Sequence, residues 1–252
     1  MDVLITNDDG IRAPGLRALY RAVREAGHTP KVVAPMRQQS GVGHSLTAFA
    51  PLKVMEIREE SFEGIGVFGT PADCVNLALS VLLPERPGLV LSGINAGPNV
   101  GPDILYSGTV GAATEAAHED LPSFAVSHED FKASVDLLPH ARHAVALACK
   151  VDWTRIAPRR VINVNYPMGP LDRAKGVRIC PQTTAVWKDS YDERTDPRGD
   201  LYWWMVGEIP AHTIERDSDK DMLGRGYITV TPLRFEFTDE DAMTALKDMG
   251  LG

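Results

Sequence analysis

The first 160 residues alternate short apolar runs with segments of helical periodicity, and this alternation constrains the fold more than any other feature. The predicted strands lie at residues 3–6, 31–35, 88–92 and 123–127. The predicted helices lie at residues 14–27, 70–81, 109–118 and 133–150. Repeated strand–helix units of this kind predict a mainly parallel sheet with helices on both faces.

The pattern changes near residue 160, after which strand signals dominate. Further strands are predicted at residues 161–165, 177–180, 202–206 and 227–231, and a short helix at 240–249. Residues 181–200 are polar and rich in turn formers, which is typical of an irregular connection. We therefore predict an α/β protein with a core at residues 1–160 and a β-rich extension at residues 161–252 that completes the fold.

Composition narrows the possible partners. The 252 residues include 34 acidic and 26 basic side chains, for a net charge of −8. This balance argues against a nucleic-acid or anionic-membrane partner but is compatible with a small anionic substrate. The three cysteines are far apart and form no CxxC pair, which favours a reducing compartment. Since neither a long apolar segment nor a signal peptide is recognisable, we expect a cytoplasmic protein.

Two adjacent carboxylates, Asp8 and Asp9, follow the first predicted strand. Ligands of parallel α/β sheets bind outside the carboxyl ends of the strands, which is where this pair falls. Gly10 permits the bend that both side chains need in order to converge. A hard cation such as Mg²⁺ or Mn²⁺ offsets their mutual repulsion, so we predict a metal site. The alternative is a helix-capping Asp beside a solvated one.

Two loops after later strands are predicted to approach the carboxylates. The loop at residues 38–45 carries Ser40, and the long loop at 92–103 carries Asn95. The Ser40 hydroxyl and the Asn95 carbonyl are candidates to complete the cation shell. His44 is a candidate general acid, although a loop histidine is more often a surface or hydrogen-bonded residue.

The segment at residues 106–113 resembles a phosphate-binding helix start. Gly108 and Gly111 allow close backbone approach, and the first N–H groups of a helix favour anions. Ser107, Gly108 and Thr109 are therefore candidate phosphate contacts, although Ser107 can equally be a simple N-cap. Combined with a cation on Asp8 and Asp9, this arrangement is suited to phosphomonoester hydrolysis by a cation-activated water.

Two other classes are less consistent with these residues. A covalent aspartyl-phosphatase of the haloacid dehalogenase type needs Asp-x-Asp after the first strand, whereas Asp8 and Asp9 are adjacent. A non-enzymatic Mg²⁺-binding phospho-receiver needs a phosphoacceptor Asp after a later strand, and residues 90–95 contain none. We therefore favour Asp8 and Asp9 as metal ligands over a covalent nucleophile.

Several motifs in order along the chain resemble the SurE family of stationary-phase survival nucleotidases. The matching segments lie at residues 5–10, 40–41, 69–75, 92–95, 106–113, 163–167, 196–199 and 226–233, with further matches at Asn99, Gly101 and Asp103. The resemblance implies a Rossmann-like core and the metal-dependent hydrolysis of nucleoside monophosphates as a 5′- or 3′-nucleotidase. A broader phosphomonoesterase or polyphosphatase is the alternative.

The resemblance also implies site residues and an assembly. One divalent cation, Mg²⁺ or Mn²⁺, is expected on Asp8, Asp9, Ser40 and Asn95, with Asp8 and Asp9 as the catalytic pair. Asn7 and Asn99 join Ser107, Gly108 and Thr109 as expected substrate contacts. Family members form dimers or tetramers that exchange a C-terminal β arm between subunits, so a homodimer or homotetramer is expected.

Overall fold

A nine-stranded sheet and a separate two-stranded hairpin organise the protein in a computed structural model that describes residues 1–132 and 134–250. The strands are β1 (Asp2–Thr6), β2 (Thr29–Pro35), β3 (Val54–Glu59), β4 (Phe62–Val67), β5 (Leu89–Ala96), β6 (Ser123–His128), β7 (Arg160–Tyr166), β8 (Val177–Ile179), β9 (Lys188–Thr195), β10 (Leu201–Glu208) and β11 (Ile228–Arg234). The α-helices are α1 (Pro14–Glu25), α2 (Pro71–Leu77), α3 (Gly108–His118), α4 (Leu138–Lys150), α5 (Asp219–Gly224) and α6 (Glu240–Asp248).

The large sheet has the order β3-β4-β2-β1-β5-β6-β7-β11-β8. The six strands from β4 to β7 in this order are parallel to their neighbours, whereas β3 pairs antiparallel with β4 and β11 pairs antiparallel with β7. Strand β2 pairs with one edge of β1, and β5 pairs with the other. This makes the β1–β5 junction the topological switch point, where α/β sheets bind ligands.

Helices cover both faces of the sheet, as the repeated strand–helix units predict. Leu16 and Leu19 of α1 share one apolar cluster with Ala144 of α4, and Cys74 of α2 shares a second with Ala112 of α3. Because β1 is buried between these layers, Val3, Leu4 and Ile5 are fully inaccessible, as expected for a central parallel strand. The prediction of an α/β fold with a mainly parallel sheet is confirmed.

Four local predictions differ from the structure. Strand β5 continues to Ala96, so the predicted long loop begins after that residue. Helix α4 begins only at Leu138, and the predicted start at Ala133 lies outside the described residues. The helix predicted at 70–81 is shorter, because α2 ends at Leu77 and gives way to one π-helical turn in which Val81 is 70% exposed. The polar stretch after residue 181 contains strand β9.

The C-terminal third contributes to two separate structures. Strands β7, β8 and β11 extend the central sheet, whereas β9 and β10 pair only with each other over eight residues each. The division at residue 160 stays a prediction about domain organisation. Among the described residues, no helix combines the length and apolar character needed to cross a membrane.

Candidate active site

A tight turn after β1 presents Asp8 and Asp9 at the carboxyl edge of the sheet. The Asn7 amide nitrogen donates to the Gly10 carbonyl at 3.0 Å, and the Gly10 N–H donates back to Asn7 Oδ1 at 3.2 Å. Gly10 has a φ of +99°, a conformation that favours glycine. The Asn7 side chain therefore holds the turn at residues 7–10 through both hydrogen bonds. Its expected contact with substrate stays a prediction.

Asp8 lies against the start of α3. The Thr109 hydroxyl donates to Asp8 Oδ1, and both side chains are buried. A Cβ added at Gly108 would lie 2.8 Å from Asp8 Cβ and 3.0 Å from Pro71 Cγ, so only glycine allows this approach. The structure thus brings together the carboxylate and two of the predicted phosphate contacts.

Asp9 is joined instead to the end of β5. Its Oδ2 accepts the Ala96 N–H at 3.0 Å. Asn95 is the residue before Ala96, so this bond brings its backbone close to the carboxylate pair. The Asn95 amide nitrogen donates to the Gly97 carbonyl at 2.7 Å. That bond uses the nitrogen end of the amide and leaves the carbonyl oxygen, the atom that hard cations take, for a ligand role.

The loop that carries Ser40 is attached to the same edge. The Gln39 N–H donates to the Asp8 backbone carbonyl at 2.7 Å, and the Ser40 hydroxyl accepts from the Gln38 amide at 2.9 Å. Ser40 therefore follows directly after a residue bonded to Asp8, as expected of a candidate ligand. Its binding to a cation stays a prediction.

Burial disfavours the ionised forms of Asp8 and Asp9. Desolvation raises the pKa of Asp8 to about 6, the Thr109 hydroxyl lowers it in part, and the charge of Asp9 raises it further. Burial also raises the pKa of Asp9, against the lowering effect of the Ala96 N–H. A buried and a half-buried carboxylate that resist joint ionisation are a donor set that a divalent cation stabilises.

The predicted phosphate contacts differ in what occupies their side chains. The Ser107 hydroxyl accepts the Val110 N–H at 3.1 Å and is therefore the N-cap of α3. The Thr109 hydroxyl is held by Asp8. Backbone N–H groups in the first turn of a helix of this length remain suited to anion binding. Phosphate binding by Ser107, Gly108 and Thr109 stays a prediction.

Asn99 sits in a buried polar network that holds the loop after β5. Its N–H donates to Asn165 Oδ1 at 2.7 Å, and its side-chain amide donates to the Ser127 hydroxyl at 2.8 Å. Its carbonyl accepts from the side chains of Asn163 at 2.8 Å and Asn165 at 3.0 Å. These contacts position the loop, so Asn99 has a clear structural role whether or not it touches substrate.

The sequence hypotheses missed a second anchor of that loop. Asp219, fully buried at the start of α5, accepts the Gly101 N–H at 2.8 Å and the Thr183 N–H at 2.9 Å. The capping pattern at Ser218 was the available signal, since its hydroxyl accepts the Asp221 N–H. His44 lies elsewhere, with Nε2 2.6 Å from Glu115 Oε2 on α3.

The fold and the site together define a class: an α/β protein with two adjacent carboxylates, one buried and one half-buried, at the topological switch point of a mainly parallel sheet, beside a helix N-terminus. Comparison with known families gives a more specific assignment, because the model described as survival protein SurE matches residues 3–189. The chain belongs to the SurE family, and the resemblance predicted from its motifs is confirmed.

Two relatives and one solved structure are similar to this chain over nearly its full length. A protein from Desulfovibrio desulfuricans named 5′-nucleotidase SurE is 65% identical over 255 residues, covering 100% of this chain and 99% of the relative. One of the same name from Synechococcus elongatus is 40% identical, with 98% of each chain covered. The crystal structure of SurE protein from Aquifex aeolicus superposes with a TM-score of 0.84 at 36% identity, covering 99% of this chain and 100% of that one.

Proposed function

We propose that this protein hydrolyses nucleoside monophosphates to nucleoside and phosphate in a reaction that depends on a divalent metal ion. The observation that carries the proposal is the adjacent pair of Asp8, buried against the first turn of α3, and the half-buried Asp9, bonded to the end of β5. The names of the relatives, 5′-nucleotidase SurE, support the substrate class and the class of phosphoric monoester hydrolase.

The residues present are compatible with a hard cation. Asp8 and Asp9 offer carboxylate oxygens, Asn95 an amide carbonyl and Ser40 a hydroxyl, an all-oxygen set of the kind that Mg²⁺ and Mn²⁺ prefer. When bound, such a cation polarises a phosphoryl oxygen and lowers the pKa of a water. The burial of Asp8 next to a second carboxylate is the observation that favours a cation here, because the ionised pair needs a counter-charge.

The chain's own residues orient the reaction. The Thr109 hydroxyl fixes the rotamer of Asp8, and the Ala96 N–H fixes Asp9, so both carboxylates are held before substrate binds. The first turn of α3 offers N–H donors and the positive end of its dipole to the phosphate oxygens. Ser107 holds that turn in place as its cap.

The test is a substrate panel assayed after chelation and re-addition of Mg²⁺, Mn²⁺ or Co²⁺. Nucleoside 5′- and 3′-monophosphates should release phosphate only with metal. Asp8→Asn and Asp9→Asn should each lower kcat/KM by about a hundredfold or more, since several kcal/mol of charge stabilisation are lost. Asp2→Asn, at the opposite end of β1, is the matched control and should retain full activity.

Full activity of Asp8→Asn, or turnover unaffected by chelation, would contradict the proposal. Faster hydrolysis of p-nitrophenyl phosphate or of tripolyphosphate than of any nucleotide would instead favour a broad phosphomonoesterase or polyphosphatase.

We also propose that the protein is a homodimer or homotetramer assembled through its C-terminal arm, here defined as β9, β10 and α6. None of the residues of these three elements is buried in the single chain. The exposed side chains include Tyr191, Trp203, Trp204 and Met205. An isolated two-stranded hairpin is only marginally stable in water, and exposed large apolar side chains mark interaction sites. The partner that covers the arm is therefore a second copy of the chain.

A further inference from the structure

Three side chains of types that bind metals come together away from Asp8 and Asp9: Glu115 and His118 on α3, and His44 on the loop packed against it. One donor atom from each of His44, Glu115 and His118 lies within 4.8 Å of the others. Glu115 follows Gly108 by two turns of α3, which places it about 10 Å further along the helix from the carboxylate pair. The group is therefore separate from the candidate active site.

Helix geometry and one close backbone approach build this group. Glu115 and His118 are three residues apart and share a face of α3. A Cβ added at Gly111 would lie 2.8 Å from the Gly43 carbonyl oxygen and 3.0 Å from His44 Cα, so the loop packs directly on the helix backbone. That packing delivers His44, whose ring lies 5.6 Å from the ring of His118.

A neighbouring helix orients the carboxylate. Asn76 on α2 donates its side-chain amide to Glu115 Oε1 at 3.1 Å, while Oε2 lies 2.6 Å from His44 Nε2. The hydrogen bond to His44 is also the main reason that the pKa of Glu115 is lowered, so the carboxylate is charged at neutral pH. His44 and His118 are exposed, and the group is therefore open to ions in solution.

We propose that His44, Glu115 and His118 bind a transition-metal cation such as Zn²⁺, at a site distinct from that of the hard divalent cation. Two imidazoles and one carboxylate form a ligand set that Zn²⁺ takes with a fourth position open to water. Nitrogen donors favour such metals, whereas the all-oxygen set around Asp8 favours Mg²⁺ or Mn²⁺. Binding replaces the His44–Glu115 hydrogen bond and clamps the loop that carries Ser40 onto α3.

The test is a Co²⁺ titration of the full chain carrying Asp8→Asn, in excess Mg²⁺. Binding is monitored by visible absorption and by calorimetry. One equivalent of Co²⁺ should bind with the intense absorption of a tetrahedral site. His44→Asn and His118→Ala should each abolish that absorption, while both variants keep the melting temperature of the metal-free parent. Asn76→Ala should weaken binding about 10–100-fold, because it removes the partner that orients a ligand.

The matched control is His28→Gln, because His28 Nε2 and Cys149 Sγ, 3.4 Å apart, are a second pair of nitrogen and sulfur donors that could compete for Co²⁺. This variant should bind Co²⁺ as the parent does. Absence of Co²⁺ binding, an octahedral spectrum, retention of the tetrahedral absorption in His118→Ala, or its loss in His28→Gln would each overturn the proposal. The readout is independent of phosphate release, so it does not depend on the proposed hydrolytic function.

Discussion

At the residue scale, the burial of Asp8 couples the stability of the metal-free protein to pH. The fold raises the pKa of this carboxyl from 3.8 to about 6, so the folded state holds the proton more tightly than the unfolded state. The resulting stability is fully present below about pH 4 and is lost as pH rises through 6. At pH 8 the ionised form therefore costs about 3 kcal/mol.

Asp8→Asn should remove this cost, since a neutral amide can still accept the Thr109 hydroxyl. We expect its free energy of unfolding in EDTA to exceed that of the parent by up to about 3 kcal/mol at pH 8 and to match it near pH 4. Urea unfolding at the two pH values measures the difference. Equal stability at pH 8 would contradict the assignment of a buried, ionised Asp8.

Thr109→Val should change the free energy of unfolding in the opposite direction in the same measurement. Because the Thr109 hydroxyl lowers the pKa of Asp8, its loss should deepen the instability at pH 8 but not at pH 4. Thr114→Val is the matched control, since Thr114 is equally buried on α3 but donates to the Val110 carbonyl. Its effect should not change with pH.

At the scale of elements, strands that carry a run of apolar residues were predictable even where they are exposed, as in β10, whereas β3, β4 and β9 were not. Strand β1 is a run of fully buried apolar residues, a pattern that is legible without neighbours. Strands β3 and β9 are rich in charged residues, so neither carries an apolar alternation. Their strand character comes from pairing with β4 and β10, which local sequence does not record.

The candidate site divides in the same way. Asp8 and Asp9 follow a recognisable strand, and Ser107 precedes a recognisable helix, so both parts could be predicted separately. The roles of Asn163 and Asp219 could not, because each anchors a segment more than 60 residues away. Such contacts depend on the register of β7 and on the placement of α5, which only the folded chain defines.

The approach of α3 to β1 yields a prediction at this scale. Gly108→Ala places a methyl group 2.8 Å from Asp8 Cβ and 3.0 Å from Pro71 Cγ, so α3 must move away from the carboxylates. We expect about 1–3 kcal/mol of destabilisation and a marked fall in kcat/KM. Gly224→Ala on α5 is the control, since its methyl meets nothing within 4 Å. Parental activity of Gly108→Ala would show that this packing is not needed.

At the scale of the whole molecule, the hairpin β9–β10 is the part that the single chain leaves least supported. Within the described residues it pairs with no other strand, and side chains on both of its faces are open: Trp203 is 55% exposed and its neighbour Trp204 is 58% exposed. Adjacent residues of a strand point to opposite faces, so one partner surface cannot cover both tryptophans. An arm that inserts between elements of another subunit would cover them together.

Trp203→Glu and Trp204→Glu should therefore each shift the proposed oligomer toward the monomer, because each would bury a charge in a different part of the interface. Sedimentation velocity over a range of protein concentrations measures the shift. Val81→Glu, which replaces an even more exposed apolar residue outside the arm, should leave the sedimentation coefficient unchanged. A parent protein that sediments as a monomer would contradict assembly through the arm. If only one tryptophan variant dissociates, the hairpin docks through a single face, and exchange of the whole arm is the wrong geometry.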